Sequence, residues 1–286
     1  MEAATPGEGR LFAFIADHRD WLGCIVSHRP QALDAAARSG RGWSLVFCQD
    51  GDVLLRSHPE SRGADEGFLE IIRSTRTRAV LGHLSSRDPE GPHVLEAMAL
   101  RSMGWIFAQD VETDGFEKVR EKVRRSIPDF LARTMKTRGE AEHLFTLILA
   151  FLYDSGKLSD PDLPAAELVR GVANALRMLG EIYPPAGLEP PTMALAVSNC
   201  YSAAGFTGSS ALPVRIYSRP TDGEVHRGVG VRRGSGEFPR YPRTGNRAVL
   251  IGPFIEGEEE GAVTTTLPPR TVFGITRECE IQTQEI

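Results

Sequence analysis

The chain has 286 residues, of which 41% are apolar and 25% charged, and it carries a formal net charge of −5. That is the make-up of an ordinary folded protein with enough apolar material for a sizeable core. It gives no global positive field for nucleic acid or an acidic membrane, and its longest mainly apolar run, residues 144–153, is too short to span a bilayer.

The opening MEAATPGEGR lacks the basic-then-apolar order of a secretion signal, so residues 1–8 read as a disordered leader and the protein as cytoplasmic. Cys24, Cys48, Cys200 and Cys279 are scattered with no Cys-x-x-Cys pair, which predicts reduced thiols rather than a disulfide framework. Cys24 and His28 are the only neighbouring cysteine and histidine, and two ligands do not make a zinc site. No metal or other cofactor is expected.

Residues 11–16 form an apolar run rich in Phe and Ile, predicting a strand. Pro30 after Arg29 suits the first position of a short helix over 30–39, ended by Gly40-Arg41-Gly42. Strands over 43–48 and 53–57 flank Gln49-Asp50-Gly51-Asp52, and Asp-Gly is a favoured hairpin turn because glycine accepts positive φ. Residues 64–76 carry Phe68, Ile71 and Ile72 at helical spacing. Strands over 79–83 and 105–109 follow, joined by a polar loop and a Leu/Met/Ala-rich turn.

Helices are predicted over 116–125 and 128–137, broken at Pro128. Residues 140–153 give the strongest helix, and another runs from about 162–164 to Ile182. From Met193 onward strands alone are expected, over 193–200, 213–217, 248–253 and 271–281. Strands, then helices, then strands, without βα alternation, argue for an α+β layered fold.

Several residues carry the family resemblance. Gly9-Arg10-Leu11-Phe12 precedes the first strand, Gly42-Trp43-Ser44 leads into the hairpin, and His83-Leu84-Ser85 and Gln109-Asp110-Val111 close the two central strands. Leu267-Pro268-Pro269 stands before the last strand. In this order they resemble the class II glutamine amidotransferases of the stand-alone type, from Gly9 to about Ile281. In that family a Cys opens the chain, His-x-Arg and His-Asn-Gly close the two strands, and Leu-Pro-Pro-Gly marks the late turn. The resemblance implies a four-layer αββα sandwich of the N-terminal-nucleophile hydrolase type, with residues 9–286 as one domain.

It also implies a demanding chemistry. A cysteine thiolate attacks the glutamine amide with its own α-amine as base, while an Asn side chain and a Gly N–H form the oxyanion hole. An Arg and an Asp hold the amino-acid end of the substrate. Residue by residue, the nucleophile falls on Gly9, the Arg on Ser85, the Asn-Gly pair on Asp110-Val111 and the substrate Asp on Glu140. Gly9 has no nucleophile, Ser85 no cation, and a carboxylate at 110 would repel a developing oxyanion. The expectation is a protein with this fold that lacks glutaminase activity and acts in binding, scaffolding or regulation. The alternative is a hydrolase of amide or γ-glutamyl compounds using a non-standard site.

Other residues are weighed against plain roles. Cys24, between apolar neighbours, reads as a core thiol, and Thr5 becomes terminal only after cleavage. His83 reads as a hydrogen-bonded structural histidine, though His83, Arg87, Asp110 and Glu140 together make a candidate ligand pocket. The basic run 118–138 reads as a solvated helical surface. The candidate partner surface is the Arg/aromatic set Arg232, Arg233, Phe238, Arg240, Tyr241 and Arg243 within 227–247. Gly228-Val229-Gly230 there is no dinucleotide fingerprint, since no strand–turn–helix surrounds it. A protein partner is therefore expected, nucleic acid and membrane are not, and a homo-oligomer stays open.

Overall fold

The computed structural model describes residues 10–27, 42–58, 66–85, 99–110, 115–218, 246–252, 255 and 262–285. Among the described residues the first elements are β1 (Arg10–Ala16), α1 (Trp21–Ser27), the hairpin β2 (Gly42–Gln49) and β3 (Asp52–His58), and α2 (Glu66–Ser74). Next come β4 (Ala79–Ser85), β5 (Ala99–Ser102) and β6 (Trp105–Gln109). A 3-10 turn (Phe116–Lys118) leads to α3 (Arg120–Arg125), α4 (Asp129–Ala132), α5 (Glu140–Asp154) and α6 (Ala165–Ile182). The strands β7 (Leu195–Ser198), β8 (Ala203–Phe206), β9 (Leu212–Ser218), β10 (Asn246–Ile251), β11 (Ala262–Leu267), β12 (Thr271–Ile275) and β13 (Ile281–Glu285) complete it.

The strands form two sheets, with every described pairing antiparallel. The seven-stranded sheet runs β11-β9-β10-β1-β4-β2-β3 and the six-stranded sheet runs β13-β12-β8-β7-β6-β5. β1 shows how the layers arise. Its residues 11–16 are apolar throughout because both faces are covered, which hides the period of two in the sequence. Phe12 and Phe14 pack outward with Phe68 and Ile72 of α2. Leu11, Ala13 and Ile15 point inward and meet Ile106 and Phe273 of the other sheet. On that sheet's far side, Trp105 and Phe107 pack under α5 and α6. The order helix, sheet, sheet, helix is the αββα sandwich expected.

α5 is buried almost all round, as a helix enclosed by a sheet and its neighbouring helices must be. The Asp50-Gly51 turn has φ of 51° and 91°, the left-handed pair that a tight two-residue hairpin demands.

Five expectations are corrected. The Leu/Met/Ala-rich turn contains β5, which forms a hairpin with β6 through Met103-Gly104 at φ 51° and 82°. The helix expected over 128–137 shrinks to α4, and the backbone N–H groups of Lys136 and Thr137 turn instead to the Glu142 carboxylate. The strand expected over 271–281 is two strands paired by a turn, and that over 193–200 is only β7. The apolar Trp21–Ser27 stretch, for which no element was expected, is a helix, α1.

The fifth concerns the cysteines. Cys48 in β2 and Cys200 just beyond β7 are disulfide-bonded, with Cα atoms 5.8 Å apart, an ordinary separation for such a bridge. They are 152 residues apart in sequence and in different sheets, so only the stacking of the layers brings them together. Among the described residues no helix is long and apolar enough to cross a membrane. The predicted helix over 30–39 lies outside the described residues.

Candidate functional site

One end of the sandwich gathers the residues that the motifs single out. β4 is central there, flanked by β1 and β2, with Arg10 opposite Leu84, Leu11 opposite His83, Ser44 opposite His83 and Gly42 opposite Ser85. From the other sheet, β6 ends at Gln109, and the Asp110 N–H donates to Ala194 O at 3.0 Å. The start of β1 and the ends of β4 and β6 therefore converge.

His83 is the hinge between the sheets. Ala79 and Leu81 of β4 point into the inter-sheet core, so alternation sends His83 to the same face. It is 6% exposed. Burial lowers its pKa to about 4, against the opposing effect of a hydrogen bond with the Asp110 backbone. A bond that favours the protonated ring is one the ring donates, so the Asp110 carbonyl is the acceptor. Nε2 has no partner among the described residues, which assigns the donated proton to Nδ1. The ring is thus neutral and held in one tautomer, with its Nε2 buried and unpartnered among the described residues.

Ser44 is the residue that sequence reasoning missed as a member of this end. Val46, two residues on, lies in the inter-sheet core, so Ser44 shares that face, next to His83 and 5% exposed. Only the β2–β4 register reveals the pairing. Gly82 allows it, because a Cβ there would come within 2.8 Å of Ser44 O.

Gln109 is fully buried and, by alternation with Trp105 and Phe107, faces the helical layer instead. Glu140 belongs to that layer too. Trp105 Nε1 donates to Leu158 O past the C-terminus of α5, and Phe107 stacks on Phe145 at 5.1 Å. The N-terminus of α5 therefore lies toward the Gln109 end of β6. Glu140 is 1% exposed, and its Oε1 accepts a hydrogen bond from Tyr183 Oη at 2.7 Å. Burial first, then the Glu140 charge and hydrogen bond, push the Tyr183 phenol far above its ordinary range, so it remains a donor.

The structure thus joins His83 to Asp110, sets Ser44 beside them, and places Glu140 among the helices with Tyr183. For Ser85 it gives the backbone alone. Gly9, Arg87, Val111 and the whole set Arg232, Arg233, Phe238, Arg240, Tyr241 and Arg243 lie outside the described residues. Among the described residues no group of three or more His, Cys, Asp or Glu side chains could hold a metal. Among the described residues this end offers an oriented hydrogen-bond acceptor, a neighbouring hydroxyl and the Asp110 carboxyl group.

No protein-family model matches the chain, and no curated protein matches it by sequence. Solved structures do. A glutamine aminotransferase class-II domain protein from Silicibacter pomeroyi superposes with a TM-score of 0.56 at 14% identity, over 97% of this chain and 98% of that one. The glutamine phosphoribosylpyrophosphate amidotransferase of B. subtilis superposes with a TM-score of 0.52 at 12% identity, over 96% of this chain. An allosteric regulatory enzyme of purine biosynthesis gives 0.54 at 12% identity, again over 96% of this chain. The chain spans about half the length of these last two, 49% and 48%.

Proposed function

The chain carries the fold of the class II glutamine amidotransferases, and on that premise we propose that it is a catalytically inactive protein of this fold that works by binding. The observation that carries this is Asp110. It stands where the resemblance expects the Asn of the oxyanion hole, at the end of β6, with its backbone fixed on both sides by Ala194 O and the His83 ring. A carboxyl group so placed offers no amide donor, and loss of one such donor costs about 100–1,000-fold in turnover. Gly9 at the nucleophile position removes the covalent route, and Ser85 removes the cation that would fork onto a carboxylate.

His83 supports a binding role over a catalytic one. A base held near pKa 4 by burial is a weak proton acceptor at neutral pH, whereas its bare Nε2 suits a ligand hydrogen-bond donor. The candidate ligand pocket is the inter-sheet end at His83 and Asp110, now with Ser44, and protein contact is assigned to the Arg-rich segment 227–247. The working location is the cytoplasm.

Glutamate release from glutamine tests the inactive half of this reading. No release above buffer is expected, and sustained turnover would overturn it. Replacing Arg232, Arg233, Arg240 and Arg243 with Ser tests the other half. Cross-linked partners should be lost while the circular-dichroism spectrum holds, and undiminished capture would remove the surface assignment.

A further inference from the structure

We infer that Cys48 and Cys200 form a thiol–disulfide exchange site, a reversible staple between the two sheets whose co-substrate is a small-molecule disulfide of the glutathione type. The two cysteines stand on elements that hold them in place by other means. Cys48 lies in β2, hydrogen-bonded between β3 and β4, and its carbonyl accepts from Thr77 Oγ1 at 2.5 Å. Cys200 sits in the tight connection between β7 and β8, in a left-handed conformation with φ of 76°. That turn is pinned by its own side chains. Ser198 Oγ donates to Ser202 O and accepts from the Cys200 N–H, while Asn199 Oδ1 accepts from the N–H groups of Tyr201 and Ser202. Contacts other than the bridge therefore hold the two Cα atoms within disulfide reach, 5.8 Å apart, which is what lets a dithiol oxidise readily.

The surroundings favour reaction over inertness. Both cysteines are half-buried, in contrast to Cys279, which is fully buried against Ile15 O. Tyr201, next to Cys200, has the Arg277 guanidinium 4.6 Å and the Arg78 guanidinium 5.9 Å from its ring centre. These contacts add to what holds the turn that carries Cys200. When the bond is open, the Cys200 thiol has an acceptor waiting in Gly104 O at 3.7 Å. Both states are thus accommodated without rebuilding the turn.

The exchange balances in two steps. The Cys200 thiolate attacks one sulfur of the small disulfide, whose S–S bond breaks and releases one small thiol with a proton. The Cys48 thiolate then attacks Cys200 Sγ in the mixed disulfide, closing the staple and releasing the second small thiol. Two protein thiols are oxidised and one disulfide is reduced to two thiols. The reverse reaction opens the staple under an excess of thiol. The bridge lies about 13 Å along β2 from Ser44, four residues at the strand rise, so it ties the sheets together away from the His83 end.

The test uses the whole protein, equilibrated in buffers from fully reduced to fully oxidised glutathione, quenched by alkylation in denaturant and mapped by mass spectrometry. The expected result is four alkylated cysteines at the reduced limit and two at the oxidised limit, with the Cys48 and Cys200 peptides joined and the change reversed by excess thiol. The melting temperature should rise by roughly 5–15 °C across the same series. In Cys200→Ser the joined peptide and the glutathione dependence of melting should both vanish. Four alkylatable thiols at every ratio, a different joined pair, or a bridge that folded protein will not release to excess thiol would each overturn the inference. If the variant fails to fold, the wild-type series still decides.

Discussion

Tyr183 Oη donates to Glu140 Oε1 at 2.7 Å inside the helical layer, so the residue that the sequence resemblance sets at the substrate-Asp position is engaged with the protein's own core. Tyr183→Phe removes the donor and leaves a buried carboxylate short of one bond. A loss of about 1–3 kcal/mol is expected, read from the midpoint of urea unfolding. An unchanged midpoint would mean that Glu140 does not depend on Tyr183.

His83 makes stability depend on pH in a stated direction. Its pKa falls from 6.5 to about 4 on folding, because burial disfavours the charged ring. Between those values the unfolded chain binds more protons than the folded one. The stability contributed is therefore complete above 6.5 and is lost as pH falls toward 4. From pH 7 to pH 5 the loss from this group alone is about 2 kcal/mol. Buried His143 shifts in the same direction. Unfolding free energies of His83→Gln over this range should show a shallower slope, and a slope equal to wild type would show that His83 is not buried neutral.

Gly82 is the close approach that lets β2 lie against β4 beside His83. In Gly82→Ala the new methyl would meet Ser44 O and the Leu45 side chain, and a backbone oxygen cannot rotate away. A loss of about 1–3 kcal/mol is expected. Urea unfolding measures it, and a neutral substitution would contradict the register of β2 on β4.

Arg270 follows Leu267-Pro268-Pro269, where the resemblance expects glycine, and it adopts φ of 56°. Its N–H donates to Gly208 O at 2.8 Å, fixing the chain as it passes from β11 in one sheet to β12 in the other. The left-handed conformation costs a non-glycine residue about 1–2 kcal/mol, offset by the roughly 0.5–1 kcal/mol of extra chain entropy that glycine loses. Arg270→Gly should stabilise the protein by about 0.5–1 kcal/mol, seen as a rise in melting temperature. A fall would show that the Arg270 side chain contributes more than its backbone strain costs.

The layered fold was legible where apolar patterning and turn chemistry agreed. Phe12, Phe14 and Ile15 marked β1, Asp50-Gly51 marked the first hairpin, and Leu144 to Leu152 marked α5. Elements with weak local signals were hidden. Met103-Gly104 is not among the usual turn pairs, so β5 read as a turn. Ala203 to Phe206 is too short and too rich in small residues to show alternation, and β8 exists because β7 and β12 pair with it. The candidate site was half legible. The motifs pointed to His83 and Asp110, but the donor–acceptor relation between them, Ser44 beside them and the bridge from Cys48 to Cys200 depend on register and stacking. No local window of sequence encodes those.

The most direct measurement is the initial rate of glutamate release from glutamine by wild type, His83→Ala and Asp110→Ala, with the folded fraction of each checked by circular dichroism. An inactive protein of this fold gives no release above buffer in any of the three. Release by wild type that Asp110→Ala abolishes would contradict that, and would make the end of β6 an active site.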